Sequence, residues 1–171
     1  MDLQSQQAKR PVSPVLAGPY GHPFHPILVT VPIGAWISGL VFDIGSHVVD
    51  HPDFLVKGSR WLIAIGILGA LVAAMIGLLD FLGIPRGTPA FRVGLLHMSL
   101  NLAVTAAYAV NLGWRAGDGT AHGVGWGQLV LAALSLGTLA VSGSLGGMLA
   151  YHFGVRVADE ATQAQGYRKE R

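Results

Sequence analysis

Residues 91–114, FRVGLLHMSLNLAVTAAYAVNLGW, decide the fold of this chain. The stretch is long and apolar enough to cross a bilayer as one helix, since a span needs about 20 such residues. It nevertheless carries a polar stripe, because helical spacing places four polar side chains on one face: His97, Asn101, Tyr108 and Asn111. Polar side chains at membrane depth turn toward a bundle interior or a wet cavity. We therefore expect this helix to form the inner wall of a membrane bundle.

The composition of the whole chain favours the same class of protein. Of its 171 residues, 51% are hydrophobic and only 12% are charged, whereas about 25% are charged in a soluble domain. Because the chain has no cysteine, it cannot form disulfides, Cys-ligated clusters or a covalent haem attachment. The net charge of +2 lies near the ends of the spans, so it indicates membrane topology and no nucleic-acid partner. No nucleophile or phosphate-binding motif is present, so we do not expect an enzyme on its own.

Three further apolar stretches accompany residues 91–114, and together they predict an all-α fold. We expect an integral membrane, antiparallel four-helix bundle with spans at about residues 26–49, 61–84, 91–114 and 126–153. This transmembrane domain covers residues 22–155, between a polar N-terminal tail at 1–21 and a charged C-terminal tail at 156–171. Pro32 lies inside the first span, where it removes a backbone hydrogen bond and should kink the helix.

The distribution of basic residues predicts the orientation. The tails and the connection between the second and third spans hold eight Lys and Arg residues. The opposite side holds three: Lys57, Arg60 and Arg115. The positive-inside rule then places both termini in the cytoplasm, with the chain spanning the bacterial inner membrane in contact with lipid.

One titratable group from each span falls at the same cytoplasmic-side depth: His25, Asp80, His97 and His152, with His22 as a further candidate. Asp43 and Asn111 face inward nearer the other side. Ordinary roles are also open to these residues. His22, His25 and His152 could be interfacial anchors. Asp80 could pair with Arg86 or Arg92. His97 could be a neutral core residue bonded to a serine or a carbonyl.

Three chemistries suit this layer. Haem b could be ligated by His97 together with His25 or His152, since two neutral imidazoles from facing helices can bind one iron. A divalent metal could be bound by Asp80 with His25 and His97. The same groups could also relay protons in a transport protein. Glycine ridges at Gly69, Gly77, Gly143 and Gly147 favour a further alternative, a non-catalytic assembly or scaffold subunit with a protein partner in a membrane complex.

Four motifs resemble a bacterial membrane family known as domain of unknown function 2231. They are HPILVTVPIGAWISGLVFD at residues 25–43, GLLD at 77–80, the His-x-x-x-Asn of 97–101 and SLGGMLAYHFGV at 144–155. The resemblance covers about residues 21–157. It implies a four-helix membrane protein, and the fusion of some relatives to Rieske-type iron–sulfur domains implies an electron-transfer setting. We therefore favour a haem b-binding electron-transfer subunit among these alternatives.

Overall fold

The computed structural model describes residues 8–10, 21 and 23–167, and in that part of the chain it forms helices and no strand. The helices are α1 Phe24–Leu28, α2 Thr30–Gly45, α3 Asp53–Leu82, α4 Pro89–Arg115, α5 Trp126–Tyr151 and α6 Glu160–Gln165. Within these residues, four helices are long and apolar enough to cross a membrane, with α1 and α2 counted as one span over Phe24–Gly45. The predicted all-α fold is confirmed. His22 and most of the predicted N-terminal tail lie outside the described residues.

The four spans form two helical hairpins that pack side by side. The closest packing joins α2 to α3 and α4 to α5, and the hairpins meet through less extensive contacts of α3 with α4 and of α2 with α5. Neighbours in sequence are therefore neighbours in space, as in an up-and-down bundle. We call the end that carries the start of α1, the α3–α4 turn and the end of α5 the tail side, and the opposite end the loop side.

The first span is interrupted at Val29, which separates α1 from α2. Pro32 causes the interruption, because its nitrogen has no hydrogen to donate to the carbonyl of Leu28 and its ring crowds that carbonyl. The backbone bonds on either side survive, since Val29 N–H donates to His25 O at 3.1 Å and Ile33 N–H donates to Val29 O at 3.3 Å. The span thus crosses as two helical segments, and the first of them carries His25.

The second span begins earlier than the sequence analysis placed it. We predicted a start at Trp61 because residues 47–60 are polar, but α3 already begins at Asp53, directly after Pro52. An acidic residue in the first turn suits the positive end of the helix dipole. The added turns carry Ser59, which is fully buried and belongs to the interior of the bundle.

The core at mid-depth consists of Trp36, Ile63, Val104, Tyr108 and Ala132. Trp36 and Tyr108 stack at a centroid distance of 4.2 Å, and each polar tip bonds a main-chain carbonyl of its own hairpin. Gly66 lies against the Trp36 indole, where any Cβ would collide with the ring. Large apolar side chains such as Val41 (61% exposed) and Leu134 (67% exposed) cover the outside of the bundle, as a lipid-facing surface requires.

Candidate cofactor site

Two of the predicted histidines meet in the tail-side half of the bundle. His25 comes from α1 in the first hairpin and His97 from α4 in the second, and both side chains are half-buried. Their ring centroids lie 6.3 Å apart and their planes are nearly perpendicular, at 83°. One imidazole from each hairpin thus faces the seam between the hairpins.

Both imidazoles are held in the same way by the second helix of their own hairpin. His25 Nδ1 donates to Ala73 O at 2.9 Å, and His97 Nδ1 donates to Ser142 O at 2.7 Å. A carbonyl can only accept, so each Nδ1 carries the proton, and in the neutral ring Nε2 keeps a lone pair. A ring fixed through Nδ1 is the usual arrangement of a histidine ligand, which binds through Nε2. In His97, Nε2 already lies 3.2 Å from Asn101 Nδ2.

Two glycines make room for these rings. A Cβ at Gly77 would lie 2.8 Å from the His25 ring, and a Cβ at Gly146 would lie 3.0 Å from the His97 ring. Both contacts are shorter than side chains normally make, so a larger residue at either position would displace the imidazole. Gly77 belongs to the glycine ridge predicted on α3, whereas the glycine beside His97 is Gly146 and not the predicted Gly143 or Gly147.

Asn101 and Ser142 complete the surroundings of His97. Asn101 Nδ2 donates to His97 O at 2.9 Å and lies 3.2 Å from His97 Nε2. Ser142 Oγ donates to the same carbonyl at 3.1 Å and lies 3.1 Å from His97 Nδ1. The bonds of His97 to a serine and a carbonyl are those that the ordinary core role also requires, so these contacts alone do not assign a ligand role.

His152 and Asp80 occupy other positions on the tail side. His152 is exposed at the end of α5, and its ring packs against Phe153 at 4.8 Å. Asp80 pairs with Arg156 Nε at 2.9 Å, not with Arg86 or Arg92. Within the described residues, no group of three or more His, Asp or Glu side chains could hold a metal ion. The geometry therefore favours a site of two imidazoles over a three-ligand metal site.

The loop-side half contains a buried ion pair that the sequence analysis missed. Both guanidinium nitrogens Nη1 and Nη2 of Arg115 bond the Asp43 carboxylate at 2.7 Å, and each side chain is only 1% exposed. Ser59 donates to Asp43, and Asn111 Oδ1 accepts from Arg115 Nε at 2.6 Å. Asn111 in turn donates to Gln128 O at 2.8 Å, so the network joins all four spans.

Asp43 and Asn111 were predicted to face inward, and Tyr108 also lies in the core. Arg115, however, was counted among the solvent-facing charges of the outer side, because the positive-inside rule counts residues by position and cannot detect burial. A signal was available. Asp43 and Arg115 end two apolar spans on the same side, and a carboxylate at that depth requires a cationic partner.

These features define a four-span helical membrane protein whose interior has one sealed charged layer and one open histidine layer. The chain belongs to the family described as predicted membrane protein DUF2231, whose model matches residues 21–159. The predicted family is thereby confirmed. Comparison with curated proteins and with solved structures found no match.

Proposed function

We propose that the protein is a haem b-binding membrane subunit that carries electrons, and that His25 and His97 are the residues that would hold the haem. The observation that carries the proposal is the 6.3 Å separation of two imidazoles from opposite hairpins. Imidazoles on opposite faces of one metal have centroids about 6 Å apart, since each metal–nitrogen bond is about 2 Å long. Their Nδ1 atoms are already occupied by carbonyls, which supports Nε2 as the atom that would bind iron. On the His97 side, Nε2 would exchange its contact with Asn101 Nδ2 for the iron.

The packing of the bundle supports the same proposal. The hairpins contact each other less than their own helices do, and both histidines are only half-buried at this seam. A flat macrocycle could therefore enter between the hairpins without separating either of them. Haem supplies a one-electron couple, and the chain supplies its ligands and apolar surroundings. With both axial positions taken by imidazole, the site suits electron transfer, which requires a separate donor and acceptor as partners.

The direction of insertion belongs to the proposal as well. We place both termini in the cytoplasm and the histidine pair in the cytoplasmic half of a bacterial inner membrane. Burial of Arg115 strengthens the charge asymmetry, because it leaves only Lys57 and Arg60 as basic residues on the loop side. Fusing a reporter to each terminus and measuring its activity in whole cells tests this orientation.

Absorption spectroscopy of the purified protein tests the haem proposal. The protein, expressed with haem supplementation and purified in mild detergent, should show a Soret band and sharp reduced bands. His25→Ala and His97→Ala should each abolish or strongly weaken these bands. His152→Ala is the matched control and should leave the spectrum unchanged, because that ring is exposed. A colourless protein, or equal loss in the His152→Ala variant, contradicts the proposal.

A scaffold function has one specific observation in its favour. On α5, a Cβ at Gly143 or Gly137 would meet nothing within 4 Å, so these glycines leave an open surface to which another helix could pack closely. This reading predicts that Gly143→Leu releases a co-purifying membrane subunit, whereas His97→Ala retains it. The reverse outcome would favour the cofactor function.

A further inference from the structure

Three contacts across the bundle share one sequence separation. Asp43 pairs with Arg115 over 72 residues. Trp36 stacks on Tyr108, and His25 meets His97, over the same separation. The three contacts follow one another from the loop side to the tail side. In each contact, a residue of the first span lies against the residue 72 positions later, in the third span.

The second helix of each hairpin repeats the pattern with a constant offset. The His25–Ala73 bond spans 48 residues and the His97–Ser142 bond spans 45. Likewise, Trp36 Nε1 donates to Ile63 O over 27 residues, and Tyr108 Oη donates to Ala132 O over 24. Both comparisons differ by three residues, so the second hairpin repeats the first with three fewer residues between equivalent positions of its two helices.

Contacts between glycines and aromatic rings also recur at equivalent positions of the two hairpins. A Cβ at Gly58 would lie 2.7 Å from the Phe42 ring, and a Cβ at Gly127 would lie 2.7 Å from the Trp114 ring. Gly77 and Gly146, which seat the two histidines, are a second pair with this relation. Two pairs of side-chain hydrogen bonds and two pairs of glycine contacts therefore match between the hairpins.

We propose that the chain is a tandem duplication of one helical hairpin, and that its cofactor site lies on the internal two-fold axis with His25 and His97 as equivalent ligands. Contacts between equivalent positions are characteristic of a two-fold axis. Repeats of the same orientation in a membrane are related by an axis along the membrane normal. The ligand part of this proposal rests on the proposed haem function, whereas the duplication rests on the contacts alone.

The ion pair explains what a fused chain gains over a dimer of identical hairpins. In a homodimer, the axis would bring Asp43 against a second aspartate, and two like charges buried together are strongly unfavourable. In a single chain the two positions can diverge, and they have become Asp43 and Arg115. The histidines at positions 25 and 97 have stayed identical, which agrees with the same proposed role for both.

Haem spectroscopy tests the equivalence of the ligands. The wild-type protein should be six-coordinate and low-spin. His25→Ala and His97→Ala should each give the same five-coordinate high-spin species, or the same loss of haem, and added imidazole should restore the low-spin spectrum in both. A low-spin spectrum that persists in one variant overturns the equivalence and leaves the haem function standing. A colourless wild type overturns the haem function and the axial site together.

Transposing the core pair tests the duplication without haem. Gly66 makes room for the Trp36 indole, and the buried Ser135 is its equivalent in sequence, three residues after Ala132 as Gly66 is after Ile63. The variant Trp36→Tyr/Tyr108→Trp should lose at least 10 °C in melting temperature, because the indole at position 108 meets the serine. Adding Gly66→Ser and Ser135→Gly should recover most of the loss. A fourfold variant no more stable than the double variant overturns the duplication.

Discussion

The two halves of the bundle bury their central pairs of side chains to different extents. In the loop-side half, Asp43 and Arg115 are sealed at 1% exposure, and both bond to further partners besides each other. In the tail-side half, His25 and His97 are half-buried and each ring has one nitrogen committed to a carbonyl. The same scaffold thus closes completely around one pair and leaves the other accessible.

The difference follows from the cost of burying each group. A charge in an apolar interior must be paired and fully hydrogen-bonded, so the ion pair draws in Ser59 and Asn111 and fixes the helices against one another. A neutral imidazole requires less. A carbonyl on Nδ1 orients each ring, and the His97 ring has further contacts with Asn101 and Ser142. The comparison predicts that stability depends mainly on the loop side, while the proposed ligand binding depends on the tail side, and three sets of variants test it.

Removal of one ion-pair partner should have the largest effect on stability. Arg115→Met leaves the Asp43 carboxylate buried without its cation, which should lower the free energy of unfolding by about 3–5 kcal/mol. Denaturation in mixed micelles measures the loss. The control is Asp43→Leu/Arg115→Met, which removes both charges and should recover most of the stability. Equal losses in the single and the double variant would show that the cost does not come from leaving the Asp43 carboxylate without its cation.

Added methyl groups should be tolerated differently in the two halves. Gly66→Ala forces the Trp36 indole out of a closed core and should cost about 1–3 kcal/mol of unfolding free energy. Gly146→Ala should cost less, because the half-buried His97 ring can move, but it should weaken haem binding. Gly143→Ala faces open space and is the matched control. A larger loss of stability in Gly146→Ala than in Gly66→Ala contradicts the comparison.

The tail-side ion pair should matter less than the loop-side one. Asp80 and Arg156 are 18% and 7% exposed, so water screens them more than Asp43 and Arg115. Asp80→Asn should therefore cost about 1 kcal/mol of unfolding free energy or less, and the loss should shrink as salt rises. Asp43→Asn, measured in parallel, should cost several times more at every salt concentration. Similar losses of unfolding free energy in Asp80→Asn and Asp43→Asn would show that burial does not set the strength of these two ion pairs.

The smallest expected effect is the loss of a helix cap at the N-terminus of α6, which lies outside both halves of the bundle. Asp159 accepts from Thr162 N–H at 2.8 Å, and this bond lowers the pKa of the Asp159 carboxyl. Because the folded pKa is depressed, the cap is present above the ordinary carboxyl value, about pH 4, and is lost as pH falls through the lowered pKa. The protection factor of the Thr162 amide, which compares its exchange with that of an unstructured chain at the same pH, should fall only in that acid range. Asp159→Asn retains an acceptor and should remove the pH dependence.

Much of the candidate site could be predicted from local pattern. The helical spacing of His97, Asn101, Tyr108 and Asn111 placed them on one face. Three of them bond main-chain carbonyls of α5, while Asn101 bonds His97 of its own helix. The first span was predicted to be distorted by Pro32, and it breaks at Val29. These inferences succeed because they depend on the period of one helix and on the chemistry of one residue.

The residues that each polar side chain contacts were harder to predict. Asp80 was expected to pair across a short turn with Arg86 or Arg92, but it pairs with Arg156, which holds a left-handed backbone at φ 59° after the last span. The internal repeat was also missed, although Leu28 and Leu100, or Ala35 and Ala107, match at the same shift as the histidines. Such scattered identities become a signal only when contacts show which positions are equivalent.

The sequence by itself determined that the chain is an all-helical membrane protein with four spans and an inward polar face. That follows from apolar length and helical period, which are properties of each segment alone. Only the tertiary structure decided that Arg115 is buried against Asp43, that His25 faces His97 while His152 does not, and that the hairpins repeat each other. Those facts depend on the rotation and depth of each helix relative to the others, which are set by packing between segments and not within them.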